Sequence, residues 1–110
     1  MTGHEIAENL RNTKLNWGRV VLITDTPGDK YHCVLGIKAL EHGATEAQLR
    51  KFYNQDGVSD PWEGLHYIQE VYIINDTHYK KEDVADEFDN SYNHDRDFPV
   101  ERFIDHVKSL

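Results

Sequence analysis

The sequence has one cysteine and no long apolar run, and each of these shortages excludes a class of protein. Only Cys33 carries a thiol, so the chain has neither the pair needed for an intrachain disulfide nor the thiols of a cysteine-based zinc site. No stretch approaches the roughly 18 apolar residues that a membrane-spanning helix needs. The first residues, MTGHEIAENL, lack the basic-then-apolar order of a signal peptide. We therefore expect a cytoplasmic protein that does not bind a membrane and is stabilised by packing alone.

Basic residues are also scarce. The 110 residues include 12 Lys and Arg against 20 Asp and Glu, which gives a formal net charge of −8. The excess is concentrated between Asp76 and Asp97, where eight acidic residues accompany three basic ones. Such a surface repels phosphate backbones and attracts basic proteins. The composition therefore predicts a protein partner with a basic surface and no direct nucleic-acid binding, and it leaves the oligomeric state open.

The length is near the common size of one domain, and the helix signals are numerous. Capping-box patterns at residues 2–5 and 45–48, and the Asp60-Pro61 pair, indicate helix starts. The predicted helices begin near residues 3, 32, 45, 61, 80 and 99. The β-branched run at residues 20–24 and the turn-forming DTPGD that follows predict a small β-hairpin within residues 20–33. We predict a single domain over residues 1–110, mainly α with about six short helices and this hairpin; an α+β fold is the alternative.

Two helix ends carry sharper expectations. Gly43 stands where a left-handed C-terminal cap is wanted after the second helix. Residues 75–77 are expected to interrupt the fourth helix, and the fifth is expected to run from about Lys80 to Tyr92. Its apolar face would consist of Val84, Ala85, Phe88 and Tyr92.

The stretch DNSYNHDRD, residues 89–97, carries oxygen-bearing side chains at alternate positions, as the start of a calcium loop does. An EF-hand loop also needs Gly at its sixth position and Glu at its twelfth. Counted from Asp89, these positions hold His94 and Val100, so we expect no calcium site. The seven histidines show no zinc-ligand spacing, and neither a metal nor a cofactor is predicted. A metal-stabilised domain is kept as the third hypothesis.

Two sets of residues are candidates for function, and neither contains a known catalytic signature. The first is a partner-binding surface made of an acidic helix and exposed aromatic residues: Asp83, Asp86, Glu87, Asp89, Trp62 and Tyr79. The second is a ligand or catalytic site made of polar and soft side chains: His32, Cys33, His66, Asn75 and Asp76. Convergence of the second set in a pocket would favour an enzyme or a ligand-binding protein, and dispersal would favour the first set.

Three short motifs occur in a characteristic order: Trp17-Gly18, then Cys33-x-x-Gly36 before Ala39-Leu40, then Asn75-Asp76 followed by Asp83-Val84. In this order the chain resembles a family of small uncharacterised bacterial and phage proteins. The resemblance implies close packing at Gly36, a helix entrance at Asn75-Asp76 and a phage-like gene. The resemblance implies no particular biochemical activity. The leading hypothesis is thus a small acidic, non-enzymatic protein-interaction domain, with a phage-encoded inhibitor of a host defence factor as its narrower form.

Overall fold

The computed structural model describes residues 1–19, 23, 30–55 and 66–110, and the elements in these ranges are helical. They are α1 (Gly3–Asn12), α2 (Val34–Glu41), α3 (Glu46–Gln55), α4 (Gln69–Thr77), α5 (Lys81–Phe88) and α6 (Val100–Lys108), with a 3-10 helix, His66–Ile68, directly before α4. The mainly α prediction is confirmed for this part of the chain. None of its helices has the length and apolarity that crossing a bilayer requires.

The predicted hairpin, residues 20–33, falls mostly outside the described residues. Only residue 23 and residues 30–33 of this span are described. Residues 30–33 form no strand. His32 instead makes an isolated parallel bridge with Trp17, in which Gly18 N donates to His32 O at 2.9 Å and His32 N donates to Asn16 O at 2.8 Å. The hairpin is therefore not seen in the part that the structure describes. The predicted helix start at Asp60-Pro61 also lies outside the described residues.

The core lies where the six helices meet. α1 packs along α5, α2 packs on α6, α4 contacts both α5 and α2, and α3 covers α6. α1, α5 and α6 each contribute an apolar stripe at helical spacing. The buried residues include Ile6, Ala7 and Leu10 of α1, Val84, Ala85 and Phe88 of α5, and Val100, Phe103, Ile104 and Val107 of α6. This arrangement holds the chain segment after α5 between α1 and α4, where the residues considered below converge.

The predicted capping box is complete before α3, and at α1 its Thr hydroxyl bond is present. At the start of α1, Glu5 N donates to Thr2 Oγ1 at 3.1 Å. Before α3, the exchange is reciprocal: Gln48 N donates to Thr45 Oγ1 at 3.1 Å, and Thr45 N donates to Gln48 Oε1 at 2.9 Å. These bonds satisfy backbone donors that a helix N-terminus leaves without an intrahelical partner.

Gly43 ends α2 in the conformation that the sequence predicts. Its φ is +100°, and the chain reverses so that Ala44 N donates to Ala39 O at 2.9 Å. Glycine enters this left-handed region without the steric cost that a Cβ atom imposes. The predicted C-terminal cap is confirmed.

We expect Gly43→Ala to lower the free energy of unfolding by about 1–2 kcal/mol, because an L side chain is strained at this positive φ. Space is not limiting, since an added Cβ would meet only the Lys108 side chain, at 3.6 Å and beyond. Gly43→Asn is the control and should recover part of the loss, because Asn tolerates the left-handed region better. Urea unfolding measures both variants, and a Gly43→Ala protein as stable as the wild type would contradict the strain argument.

The boundary between α4 and α5 differs from the expectation. α4 does not stop at Asn75 but continues to Thr77, so Asn75 and Asp76 lie in its last turn and form neither an interruption nor a helix entrance. The physical reason is that the Asn75 side chain is occupied by distant groups, described below. It therefore does not compete with the helix for backbone hydrogen bonds as free Asn side chains do.

The predicted end of α5 is also wrong. The helix ends at Phe88, and Asn90 turns the chain because its Oδ1 accepts hydrogen bonds from Tyr92 N at 2.9 Å and Asn93 N at 3.0 Å. Such local bonds replace helical ones. Tyr92 is consequently 81% exposed instead of facing the core. We refer to residues 89–96 as the α5–α6 turn.

Candidate functional site

The predicted ligand site is centred on Asn75, which is 1% exposed. Its Oδ1 accepts hydrogen bonds from Trp17 Nε1 at 2.7 Å and from Val34 N at 3.1 Å, and its Nδ2 donates to Asp76 Oδ1 at 3.0 Å. Val34 is the first residue of α2, whose N-cap residue makes no side-chain cap bond. Asn75 therefore supplies, from α4, the cap that α2 lacks locally. Both of its acceptor bonds join separate parts of the fold.

Four of the five predicted ligand-site residues, His32, Cys33, Asn75 and Asp76, lie where α4 meets the start of α2. We call this largely buried cluster the joint. His32 and Cys33 are 2% and 1% exposed, and burial raises the pKa of the Cys33 thiol to about 12. The thiol is thus protonated near neutral pH and is a poor nucleophile. His66 is exposed and lies at the opposite end of the helical stretch that carries Asn75. We therefore interpret the joint as structural.

Two acidic residues of α5 are paired with Arg or His side chains. Asp86 Oδ1 accepts a hydrogen bond from Arg11 Nη2 at 3.0 Å, and Glu87 Oε2 lies 2.6 Å from His78 Nε2. Asp83 is exposed and has no ion-pair partner within the described ranges. The acidic surface is therefore less uniform than its sequence indicates.

One of the two aromatic residues predicted for partner binding, Tyr79, lies in the described part of the chain. Tyr79 lies in the link between α4 and α5 and is 84% exposed, with the Arg19 guanidinium 4.4 Å from the centre of its ring. Trp62 lies outside the described residues. Tyr79 is accessible, as the sequence predicts.

Asp89, directly after α5, is surrounded by two imidazoles and a guanidinium. His4 Nδ1 and His94 Nδ1 lie 2.9 and 2.7 Å from Asp89 Oδ1, and Arg11 Nη1 donates to Oδ2 at 3.1 Å. The contact with His4, followed by those with Arg11 and His94, lowers the pKa of Asp89; the same contact raises the pKa of His4. His4, Asp89 and His94 form the one group of potential metal ligands in the described part of the chain, with ligand atoms within 4.8 Å of one another.

An open cavity of about 360 Å³ lies between α4 and the α5–α6 turn. We call it the α4 groove. Its walls include Glu70, Ile73, Glu87, Tyr92, Asn93 and Arg96. Ile73 and Tyr92 are 54% and 81% exposed, although both are large and largely apolar. Arg96 Nη2 of the α5–α6 turn donates to Glu70 Oε1 of α4 at 2.6 Å, and Glu87 in the lining pairs with His78. The groove thus combines an uncovered apolar surface with charged edges.

Two other cavities, of about 380 and 430 Å³, share Lys14 and Leu15 in their walls. Polar side chains in each are already bonded to one another. In the first, Lys30 Nζ donates to Glu46 Oε2 at 2.7 Å, and in the second, Asn9 Nδ2 donates to Glu41 Oε2 at 2.5 Å. Neither cavity is lined by one of the large apolar residues that are exposed in the described part of the chain. The α4 groove is therefore the better candidate for a binding surface.

Sequence reasoning misses Ile73 and His4. Ile73 stands in the run Val71-Tyr72-Ile73-Ile74, and four consecutive apolar residues cannot all face one side of a helix. The run therefore indicates that at least one of the four side chains is exposed. His4 offers no comparable signal, because its contact with Asp89 spans 85 residues.

Comparisons with known proteins identify no similar family, protein or structure. A scan against protein-family models found no match, and searches of curated proteins and of solved structures likewise found none at a significant level. The resemblance to small bacterial and phage proteins stays a prediction.

Proposed function

We propose that this chain is a protein-interaction domain whose docking surface is the α4 groove. The supporting observation is that Ile73 of α4 and Tyr92 of the α5–α6 turn are both exposed and line the same cavity. Isolated exposed apolar residues are common on protein surfaces, but two large ones beside a concave surface are typical of a contact site. Tyr is moreover among the residues that contribute most to protein interfaces.

The charges around the groove favour a basic partner. Glu87 lies in the wall of the groove, and Asp83 precedes it by one helical turn on the same face of α5. Asp83 has no ion-pair partner within the described ranges, so it extends the acidic edge of the groove. The net charge of −8 adds a long-range attraction for cationic surfaces. We therefore propose that the groove binds a protein segment in which Lys or Arg residues flank an apolar side chain.

The competing enzyme hypothesis has less support. It depends on the joint at Asn75, where the thiol of Cys33 is buried and protonated and the amide oxygen already accepts two hydrogen bonds. The inhibitor of a host defence factor remains the narrower form of the interaction hypothesis. Its support is the resemblance to phage proteins, and the α4 groove would be the surface that contacts the defence factor.

The test is a selection of displayed random peptides against the purified full chain. We expect the selected peptides to combine Lys or Arg with Leu, Ile or Phe. Ile73→Ser and Tyr92→Ser should each weaken the best peptide by about 2 kcal/mol or more, roughly thirtyfold in Kd, because they remove apolar anchors. Binding should also weaken as salt concentration rises. Titration calorimetry of each variant measures these changes.

Tyr79→Ser is the matched control, because Tyr79 is equally exposed but does not line the groove. We expect its peptide affinity to stay near that of the wild type. A loss with Tyr79→Ser and none with Ile73→Ser or Tyr92→Ser would move the docking surface to the link between α4 and α5. Selection of peptides without basic residues would contradict the proposed partner chemistry.

A further inference from the structure

His4, Asp89 and His94 come from opposite ends of the chain and direct three potential ligand atoms at one point. One ligand atom from each of the three residues lies within 4.8 Å of the other two, and both histidine Nδ1 atoms contact Asp89 Oδ1, at 2.9 and 2.7 Å. We propose that these residues form a binding site for one divalent transition-metal ion of the Zn²⁺ or Co²⁺ type. The proposal goes beyond the docking function and does not depend on the α4 groove.

The distances are close to those of a metal site. Zn–N and Zn–O bonds of about 2.0–2.2 Å place neighbouring ligand atoms of a tetrahedral site roughly 3.3–3.5 Å apart. The present separations from Asp89 Oδ1 are 2.9 Å to His4 Nδ1 and 2.7 Å to His94 Nδ1. These separations must lengthen by roughly 0.4–0.8 Å to admit the ion. Small rotations of three partly exposed side chains can supply this change.

The backbone holds the two histidines in place. His4 N donates to His94 O at 3.0 Å, and the preceding Gly3 N donates to Arg96 O at 3.0 Å. His94 N in turn donates to Asn90 O at 2.7 Å. The first turn of α1 and the α5–α6 turn are thus bonded directly beside the ligand atoms. A site supported in this way loses little conformational entropy when the ion binds.

Arg11 orients the carboxylate. It donates to Asp89 Oδ2 at 3.1 Å and leaves Oδ1 facing the imidazoles. Hydrogen bonds to the second oxygen of a ligating carboxylate are a common supporting feature of metal sites. Arg11 also contacts Glu8 and Asp86, so three carboxylates share one guanidinium. With neutral imidazoles, the cluster is net negative and attracts a cation.

The ligand chemistry selects the class of metal. Imidazole nitrogen suits Zn²⁺, Co²⁺, Ni²⁺ and Cu²⁺, whereas Ca²⁺ and Mg²⁺ prefer oxygen ligands. Three protein ligands leave a coordination position for water, and the His4 and His94 side chains are about half exposed. The alternative is that the three side chains only hydrogen-bond to one another. A metal ion has to displace a proton from any Nδ1 atom that carries one.

The test uses the full chain after treatment with a chelator, at about pH 8, above the ordinary histidine pKa of roughly 6.5. Zn²⁺ and Co²⁺ are the probes, and Ca²⁺ is the negative control. We expect one bound ion per chain by native mass spectrometry, a higher melting temperature with Zn²⁺, and visible Co²⁺ absorption bands of a low-symmetry site. Ca²⁺ should produce none of these effects.

The variants His4→Gln and His94→Gln should each weaken binding by more than the roughly 10- to 100-fold that loss of a supporting residue costs. His66→Gln, at an exposed histidine outside the cluster, should bind as the wild type does. No Zn²⁺ binding by the wild type, or equal binding by all three variants, would overturn the proposal. If a variant fails to fold, imidazole ¹⁵N spectra of the wild type decide the question, because Zn²⁺ must shift Nδ1 of His4 and of His94 and leave His66 unchanged.

Discussion

Gly3→Ala is expected to lower the free energy of unfolding by about 3 kcal/mol, at the upper end of the usual cost of overpacking. A Cβ atom at Gly3 would overlap the backbone carbonyl oxygens of Asn93 and Phe88 and approach the Asn93 carbonyl carbon to 2.9 Å. These are main-chain atoms of two segments, so the overlap cannot be relieved by rotating a flexible side chain. The better helix propensity of Ala offsets about 1 kcal/mol at most.

Urea unfolding followed by circular dichroism measures the Gly3→Ala effect. Glu8→Ala is the control on the same helix, at an exposed position, and should stay within about 0.5 kcal/mol of the wild type. A Gly3→Ala variant as stable as Glu8→Ala would show that α1 does not pack as closely on the α5–α6 turn as described. Because Gly3 precedes His4, the variant should also weaken Zn²⁺ binding if the proposed site exists.

Asn75→Ala is expected to cost about 2–5 kcal/mol, because it leaves two donors without an acceptor. An unsatisfied buried donor costs about 1–3 kcal/mol, and the change removes the partner of both Trp17 Nε1 and Val34 N. Val34 N lies at the start of α2, so the loss also removes the cap of that helix. The expected result is a large fall in stability with little change in secondary structure below the transition.

Asn12→Ala is the matched control, since Asn12 is exposed at the end of α1 and its side chain bonds only the local Glu8 carbonyl in the described part of the chain. A double-mutant cycle with Trp17→Phe then isolates the indole hydrogen bond from the bond to Val34. The stabilities are read from urea midpoints and slopes. A small effect of Asn75→Ala, comparable with that of Asn12→Ala, would show that the joint is not a stabilising element.

Much of the fold follows from local signals in the sequence. The caps at Thr2 and Thr45 and the reversal at Gly43 are set by residues within a few positions of one another, and the structure confirms all three. The predicted end of α5 is wrong because periodicity extends the apolar stripe to Tyr92. The Asn90 side chain intervenes and bonds the next backbone N–H groups. Apolar spacing alone does not register this competition.

The candidate sites were harder to predict, because they depend on contacts between distant segments. The sequence marks Asp89 and His94 as members of DNSYNHDRD, but their partners His4 and Arg11 come from α1. Likewise, its residue type makes Asn75 a candidate for a ligand site, and only the packing of α2 against α4 shows that it caps α2. Residue types and spacing indicate available chemistry, whereas tertiary packing decides whether that chemistry faces a ligand or another helix.

The cap that Asn75 provides has a consequence for how the molecule opens. Because the acceptor for Val34 N belongs to α4, local unfolding of α4 exposes the first turn of α2 as well. The two helices should therefore behave as one cooperative unit in native-state hydrogen exchange. The amide hydrogen of Val34 should exchange at the rate set by the opening of α4. A ligand that binds in the α4 groove and slows this opening should therefore protect the start of α2 from exchange without contacting α2.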